Sequence, residues 1–173
     1  MVAVATHVTH SPEETRRLAQ SLGRAADPLP RGGLTISLLG DLGAGKTTFA
    51  QGLLAGLGVP PETPVVSPTF TFARAYLGRV PVHHVDAYLV RDLLALEASG
   101  FEEMGGEGRV TVVEWGDRIA KALPMDRLEV ELSSVAPLVA DAATSRAVVS
   151  SRRIEWRALG PVSAGVLARV KGD

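Results

Sequence analysis

Gly40-Asp41-Leu42-Gly43-Ala44-Gly45-Lys46-Thr47 meets every fixed position of the phosphate-loop pattern G-x-x-x-x-G-K-[ST]. Its flanks narrow the fold further. Leu34 to Leu39 is a short apolar run between Gly32-Gly33 and Gly40, which predicts a buried strand. From Lys46 to Leu57 the pattern predicts a helix, stopped by Gly58 with Pro60-Pro61 beyond. Strand, glycine loop and helix in that order open a nucleotide-binding α/β domain. The glycines let backbone N–H groups converge on phosphate without Cβ clashes, and the helix directs its N-terminus at the same anion. The cradle is expected to run from Gly40 to Thr48, through Asp41, Leu42, Gly43, Ala44 and Gly45. Lys46 reaches the β- and γ-phosphates as a point charge, and the Thr47 hydroxyl is placed to ligate Mg²⁺. A chain so built binds ATP with Mg²⁺.

Such a site needs a carboxylate at the end of a neighbouring strand. Two acids qualify. Asp86 closes Val82-His83-His84-Val85-Asp86, and Glu114 closes Val110-Thr111-Val112-Val113-Glu114. Both are candidates for metal binding or water activation, against the plainer reading of an exposed acid capping the next element. His83 and His84 are neighbours on a predicted strand, so they face opposite sides and do not make a metal pair; one of them packs or bonds near the site. Trp115 follows Glu114 directly and is read as core packing or as a nucleotide or partner contact. Thr69, in Ser67-Pro68-Thr69, stands as a switch-like sensor of the γ-phosphate or as part of a strand-entry turn.

Elsewhere the elements are ordinary. Ser11-Pro12-Glu13-Glu14 predicts a capped helix start, with Leu18, Ala19, Leu22 and Ala26 at helical spacing and an end near Pro28. Thr69–Tyr76 and Val80–Val85 predict an antiparallel hairpin at one edge, joined through Leu77-Gly78-Arg79. Helices are expected over Asp92–Ser99, Asp117–Leu123 and Ser163–Val170, and strands over Leu128–Leu132 and Ala147–Trp156. Val135–Ala143 receives no assignment. At 173 residues, with no repeat and no boundary, the chain reads as a single domain, residues 1–173.

Composition excludes several classes. There is no cysteine, hence no disulfide and no thiolate metal site, and no apolar run is long enough to span a membrane. Met1–His10 has no secretory pattern, which points to a cytoplasmic protein. The net charge of −1 and scattered arginines disfavour a direct, tight grip on nucleic acid. No asparagine exists to build a guanine-reading Asn-Lys-x-Asp element, so adenine is the expected base, with the segment around Ser11 as a candidate cover for it.

Gly40–Thr48 (GDLGAGKTT), Ser67-Pro68-Thr69-Phe70-Thr71, His84-Val85-Asp86-Ala87-Tyr88, Glu97-Ala98-Ser99-Gly100-Phe101-Glu102-Glu103 and Glu114-Trp115 occur in this order, and together the chain resembles the TsaE (YjeE) family over Ser11 to Trp156. That family is the ATPase of bacterial tRNA threonylcarbamoyladenosine biosynthesis. The resemblance implies a P-loop α/β fold: a mostly parallel central sheet, helices on both faces and an antiparallel edge. It implies ATP binding and slow hydrolysis that act on or reset a TsaB–TsaD partner complex, with tRNA touched only indirectly and no membrane involved. By the same resemblance Lys46 and Thr47 take the P-loop roles, Asp86 and Glu114 are the acids near Mg²⁺, Thr69 is the switch-like threonine, and Arg152 is a late arginine near the nucleotide. Leu89 departs from the pattern, standing where the family has arginine, with Arg91 as the nearest substitute. Ser133–Ala147 is longer than the family leads one to expect. The competing readings are a small-molecule or nucleotide kinase of the P-loop class and a non-catalytic, nucleotide-gated adaptor.

Overall fold

The strand that carries the glycine loop lies at the centre of a seven-stranded sheet ordered β1-β7-β6-β2-β5-β4-β3. This is a computed structural model, and it describes residues 3–135 and 151–170. In chain order the elements are β1 (Ala3–Thr9), α1 (Pro12–Ala25), β2 (Leu34–Leu39), α2 (Lys46–Gly56), β3 (Ala73–Leu77), β4 (Pro81–Asp86), α3 (Leu93–Ala98), β5 (Val110–Glu114), β6 (Leu128–Val135), β7 (Ser151–Ala158) and α4 (Pro161–Leu167). Single 3₁₀ turns cover Phe101–Met104 and Gly116–Ile119.

β6, β2, β5 and β4 run parallel, which aims their C-terminal ends at one edge of the sheet. The expected hairpin pairs β3 with β4 in antiparallel fashion. A second antiparallel margin closes the other side, where β7 pairs with both β6 and β1. One face of the sheet packs Ile36, Leu38, Val82, Val110 and Val112 under α1 and α2. The other packs Val85 and Val113 against Leu96 of α3, Phe101 and Ile119 of the two 3₁₀ turns, and Leu123 just beyond the second turn. Period-two alternation decides which residue goes where: Val82, His84 and Asp86 share the α2 face of β4, while His83 and Val85 turn away. His83 bonds the Met104 carbonyl at 2.7 Å there.

Several expectations shift. β1 had no sequence-based counterpart, and its alternation is inverted: Ala3, Ala5 and His7 are half-buried, while Val4, Thr6 and Val8 are exposed. The large Trp156 stands opposite Ala5 and its ring lies 4.7 Å from that of His7, tilted by 45°, so small and ring side chains fill the inner row. The hairpin strand begins at Ala73 rather than Thr69, because Thr71 N–H closes a turn on the Pro68 carbonyl and Phe72 takes a positive φ of 64°. Asp117–Leu123 is not an α-helix. Trp115 enters it in the left-handed region and only a 3₁₀ turn follows. α4 starts at Pro161, two residues before the expected start at Ser163, because Asp126 supplies the cap: it accepts from Val162 N at 2.8 Å and from Ser163 N at 3.0 Å. β6 extends to Val135 and β7 runs over Ser151–Ala158; the rest of the Val135–Ala143 segment and the start of the Ala147–Trp156 strand lie outside the described residues. The helix α1 is capped as expected: Glu14 N–H bonds Ser11 Oγ at 3.1 Å, and His10 N–H bonds Glu14 Oε2 at 2.7 Å.

Candidate nucleotide site

Gly40–Thr48 leaves β2 and enters α2 through three glycines at positive φ: Gly40, Gly43 and Gly45, at 129°, 78° and 105°. At Gly40 a Cβ would stand 2.2 Å from the Leu132 carbonyl oxygen, so the loop needs glycine there for close approach to β6. Gly45 caps α2 in the left-handed region, and a Cβ there would meet nothing nearer than 3.8 Å. The space beside it is open. A cavity of about 400 Å³ lies over the loop, and its walls include Gly43, Gly45, Thr47, Asp86 and Glu114.

Lys46 folds back over its own loop. Its Nζ donates to the carbonyls of Gly40 at 2.6 Å and Asp41 at 2.9 Å, and sits 3.5 Å from the centroid of the Trp115 ring. Burial pushes the ammonium below its ordinary range, while Glu114 foremost, then Asp86, Asp117 and Asp41, favour the charged form. Trp115 holds this position at positive φ, 60°, a conformation that costs on the order of 1–3 kcal/mol for a non-glycine residue. Its backbone N–H bonds the Leu38 carbonyl at 3.0 Å, and its ring lies 5.0 Å from that of Tyr88, tilted by 45°. The half-exposed Trp115 is thus a wall of the site as well as a packing residue.

The two acids end adjacent parallel strands in register, Asp86 beside Glu114, and both are 3% exposed. Glu114 accepts from the Thr47 hydroxyl at 3.0 and 3.1 Å and is 2.9 Å from His84 Nε2. Asp86 accepts from Thr69 Oγ1 at 2.6 Å, from Tyr88 N at 2.9 Å and from Ser67 Oγ. Thr69 is therefore tied to an acid of the site rather than standing alone in a turn. The donor set suits a hard cation: a hydroxyl and a carboxylate already in contact, with a second carboxylate alongside. Three His or acidic side chains placed to hold a metal by themselves are not found among the described residues, so Mg²⁺ would depend on phosphate oxygens and water for the rest of its shell.

Arg152 reaches the loop from β7. Its Nε donates to the Ala44 carbonyl at 2.9 Å, and an Nη to Gly43 O at 3.3 Å. A second cavity, about 280 Å³, is lined by Ser11, Thr15, Gly43, Gly45, Thr48 and Arg152, which puts Ser11 and Arg152 on the far side of the loop from the acids. A larger cavity of about 460 Å³ between β1, α1 and α4 is remote from this cluster. The tips of the loops are apolar and open: Leu42 is 82% exposed, Phe70 95% and Leu89 53%. Asp41 is exposed, and its backbone carbonyl rather than its carboxylate faces Lys46. His84 is the one of the two histidines that bonds at the site, as expected of one of them. Ser67, in the loop before β3, and Tyr88, just past β4, join the cluster without having been singled out as site residues; their nearness in sequence to Thr69 and Asp86 is the signal that would have found them.

The family model described as threonylcarbamoyl adenosine biosynthesis protein TsaE matches residues 9–138. This chain belongs to the TsaE family. Among its relatives, the tRNA threonylcarbamoyladenosine biosynthesis protein TsaE of Bacillus subtilis is 42% identical over 125 residues, covering 70% of this chain and 73% of the relative. The protein of the same description from Treponema pallidum is 36% identical, covering 75% and 91%. In three dimensions the chain resembles the crystal structure of Bacillus subtilis YdiB with a TM-score of 0.73 at 28% identity, over 98% of this chain and 95% of that one. The TsaE family places the chain in tRNA threonylcarbamoyladenosine biosynthesis. No described helix is long and apolar enough to cross a membrane.

Proposed function

We propose that this TsaE-family chain is a cytoplasmic, Mg²⁺-dependent ATPase that acts on or resets a TsaB–TsaD partner complex and is not itself the transferase. The observation that carries the reading is the convergence of Lys46, Thr47, Asp86 and Glu114 on one cavity over a glycine loop. Lys46 exchanges the Gly40 and Asp41 carbonyls for phosphate oxygens, and the loop N–H groups and the start of α2 hold the rest of the charge. Mg²⁺, when bound, neutralises charge developing on the phosphates. Thr47 and Glu114, already in contact, are its first holders on the protein; Asp86 ties the Ser67–Thr69 loop to the same centre. The cavity bordered by Ser11, Thr48 and Arg152 is the place for adenosine.

The exposed Leu42, Phe70 and Leu89 around the mouth favour a protein surface as the second participant over the small polar acceptor a kinase would need. Leu89 occupies the position where the family carries arginine, so the rim here contributes apolar area at that point. ATP hydrolysis is to be followed with Mg²⁺, alone and with a purified TsaB–TsaD pair, with Lys46→Ala alongside. Slow turnover that the pair accelerates, absent in the variant, is the expected result. Hydrolysis indifferent to the pair but accelerated by a small acceptor with a phosphorylated product would replace this reading by the kinase one.

A further inference from the structure

We propose that His84 is a positioning residue that sets the affinity of the site for Mg²⁺ by clamping Glu114, an inference that rests on the reading of the cluster as a Mg²⁺–nucleotide centre. His84 is 0% exposed, and its Nε2 lies 2.9 Å from Glu114 Oε1. A carboxylate offers only acceptors, so Nε2 is the nitrogen that carries the hydrogen. This is the one hydrogen bond the ring makes among the described residues; Nδ1 is buried with no protein partner. A polar ring placed in an apolar layer is costly to desolvate, and a leucine would fill that layer without the cost. What a leucine cannot supply is the donor to Glu114.

The strand register explains why the donor is there. His84 pairs with Val112, and Asp86 pairs with Glu114. All four lie on the α2 face, with His84 one layer deeper than the two acids. Glu114 is held by two groups that both reach Oε1, Thr47 from the glycine loop's helix and His84 from one layer deeper in the sheet. The Thr47 hydroxyl is the group a metal would recruit, and Asp86 beside Glu114 is a like charge that pushes its carboxylate away. His84 is then the fixed partner that keeps Glu114 facing Thr47. Partners of this kind, one step removed from a metal, alter metal affinity by about 10–100-fold when lost.

The test compares His84→Leu and His84→Asn, which remove the donor or leave it short of Glu114, with His84→Gln, whose amide reaches where Nε2 stands. Fluorescent mant-ADP affinity in EDTA reports the nucleotide cradle, and Mg²⁺ titration of the mant-ADP complex reports the metal. The two donor-loss variants should need about 10-fold more Mg²⁺ or higher for half-saturation, with mant-ADP affinity in EDTA unchanged and His84→Gln close to the parent. If His84→Leu fails to fold, the comparison of His84→Asn with His84→Gln decides. An unchanged Mg²⁺ midpoint in the donor-loss variants, an equal shift in His84→Gln, or a parallel loss of mant-ADP affinity in EDTA would overturn the proposal. A parent protein whose mant-ADP binding ignores both Mg²⁺ and Lys46→Ala would overturn the site reading itself, and this inference with it.

Discussion

α1 and α2 cross at a seam of glycines, and alanine at that seam should destabilise the protein although alanine is the better helix former. At Gly52 an added Cβ would stand 2.2 Å from the Arg16 carbonyl oxygen and 2.7 Å from Arg16 Cα, both backbone atoms that no rotamer change can move. Gly23 and Gly56 meet the opposite helix in the same way, at 2.4 Å and 2.3 Å. To restore ordinary van der Waals contact the helices must part by roughly 1 Å, which loosens a close-packed interface along its length. Helix propensity returns about 1 kcal/mol for Gly52→Ala, while overpacking against fixed backbone atoms falls in the upper part of the usual range, about 2–3 kcal/mol. The net expectation is a loss of about 1–2 kcal/mol, or a fall in Tm of about 2–8 °C for a domain of this size. Urea unfolding followed by circular dichroism measures it. Gly165→Ala in α4 is the control, because a Cβ there meets nothing within 4 Å; it should stabilise by up to about 1 kcal/mol. Gly52→Ala as stable as the parent, or more so, would refute the reasoning. Since α2 carries Lys46 and Thr47, a parted seam should also weaken mant-ADP binding.

Other consequences follow from the same geometry. Glu114→Gln keeps an acceptor for His84 or Thr47 but removes the charge, so single-turnover hydrolysis with Mg²⁺ should fall about 10-fold or more while circular dichroism shows the fold intact. Asp126→Ala removes three hydrogen bonds to the start of α4, including Ser163 Oγ at 2.8 Å, and should cost about 1 kcal/mol in chemical denaturation. For Asp126, burial pushes the carboxyl up, but the Ser163 and Val162 N–H groups and the Ser163 hydroxyl outweigh it and hold the group below its ordinary 3.8. A depressed folded value means this stabilisation is complete above the unfolded value and is lost as pH falls below 3.8 through the folded one. The stability difference between Asp126→Ala and the parent should therefore shrink in that acid window, and a difference that persists unchanged there contradicts the assignment. Phe70→Ser together with Leu89→Ser should leave the melting temperature unaltered and reduce stimulation by the TsaB–TsaD pair, read as a rightward shift in the pair concentration required.

The parts of this site that were legible in the sequence are the local ones. The glycine loop, the Ser11–Glu14 cap and the acids closing β4 and β5 each follow from a few neighbouring residues and one strand or helix period. What the residues by themselves left open depends on contacts between distant segments: Arg152 entered only through the family resemblance, Thr69 with a turn as its alternative, and the two histidines without a choice between them. Arg152 reaches Ala44 from 108 positions away, Thr69 meets Asp86 only because the loop before β3 folds over the end of β4, and His84 meets Glu114 only through the register of two parallel strands. β1 was missed because its inner row is Ala3, Ala5 and His7 with the valines outside, so hydropathy alternation points the wrong way. The helix expected over Asp117–Leu123 is instead a 3₁₀ turn over Gly116–Ile119, and Ile119 and Leu123 are packed against Val85 and Val113 without a full helical turn.

The central claim is best tested by threonylcarbamoyladenosine formation on tRNA by a purified TsaB–TsaD pair over many turnovers, with an activated threonylcarbamoyl donor in excess, ATP and Mg²⁺, with and without this chain. The account predicts that modification stalls near one round without the chain, continues with it, and stalls again when Lys46→Ala replaces it. Equal multi-turnover modification in the absence of the chain, or full support by Lys46→Ala, would contradict it.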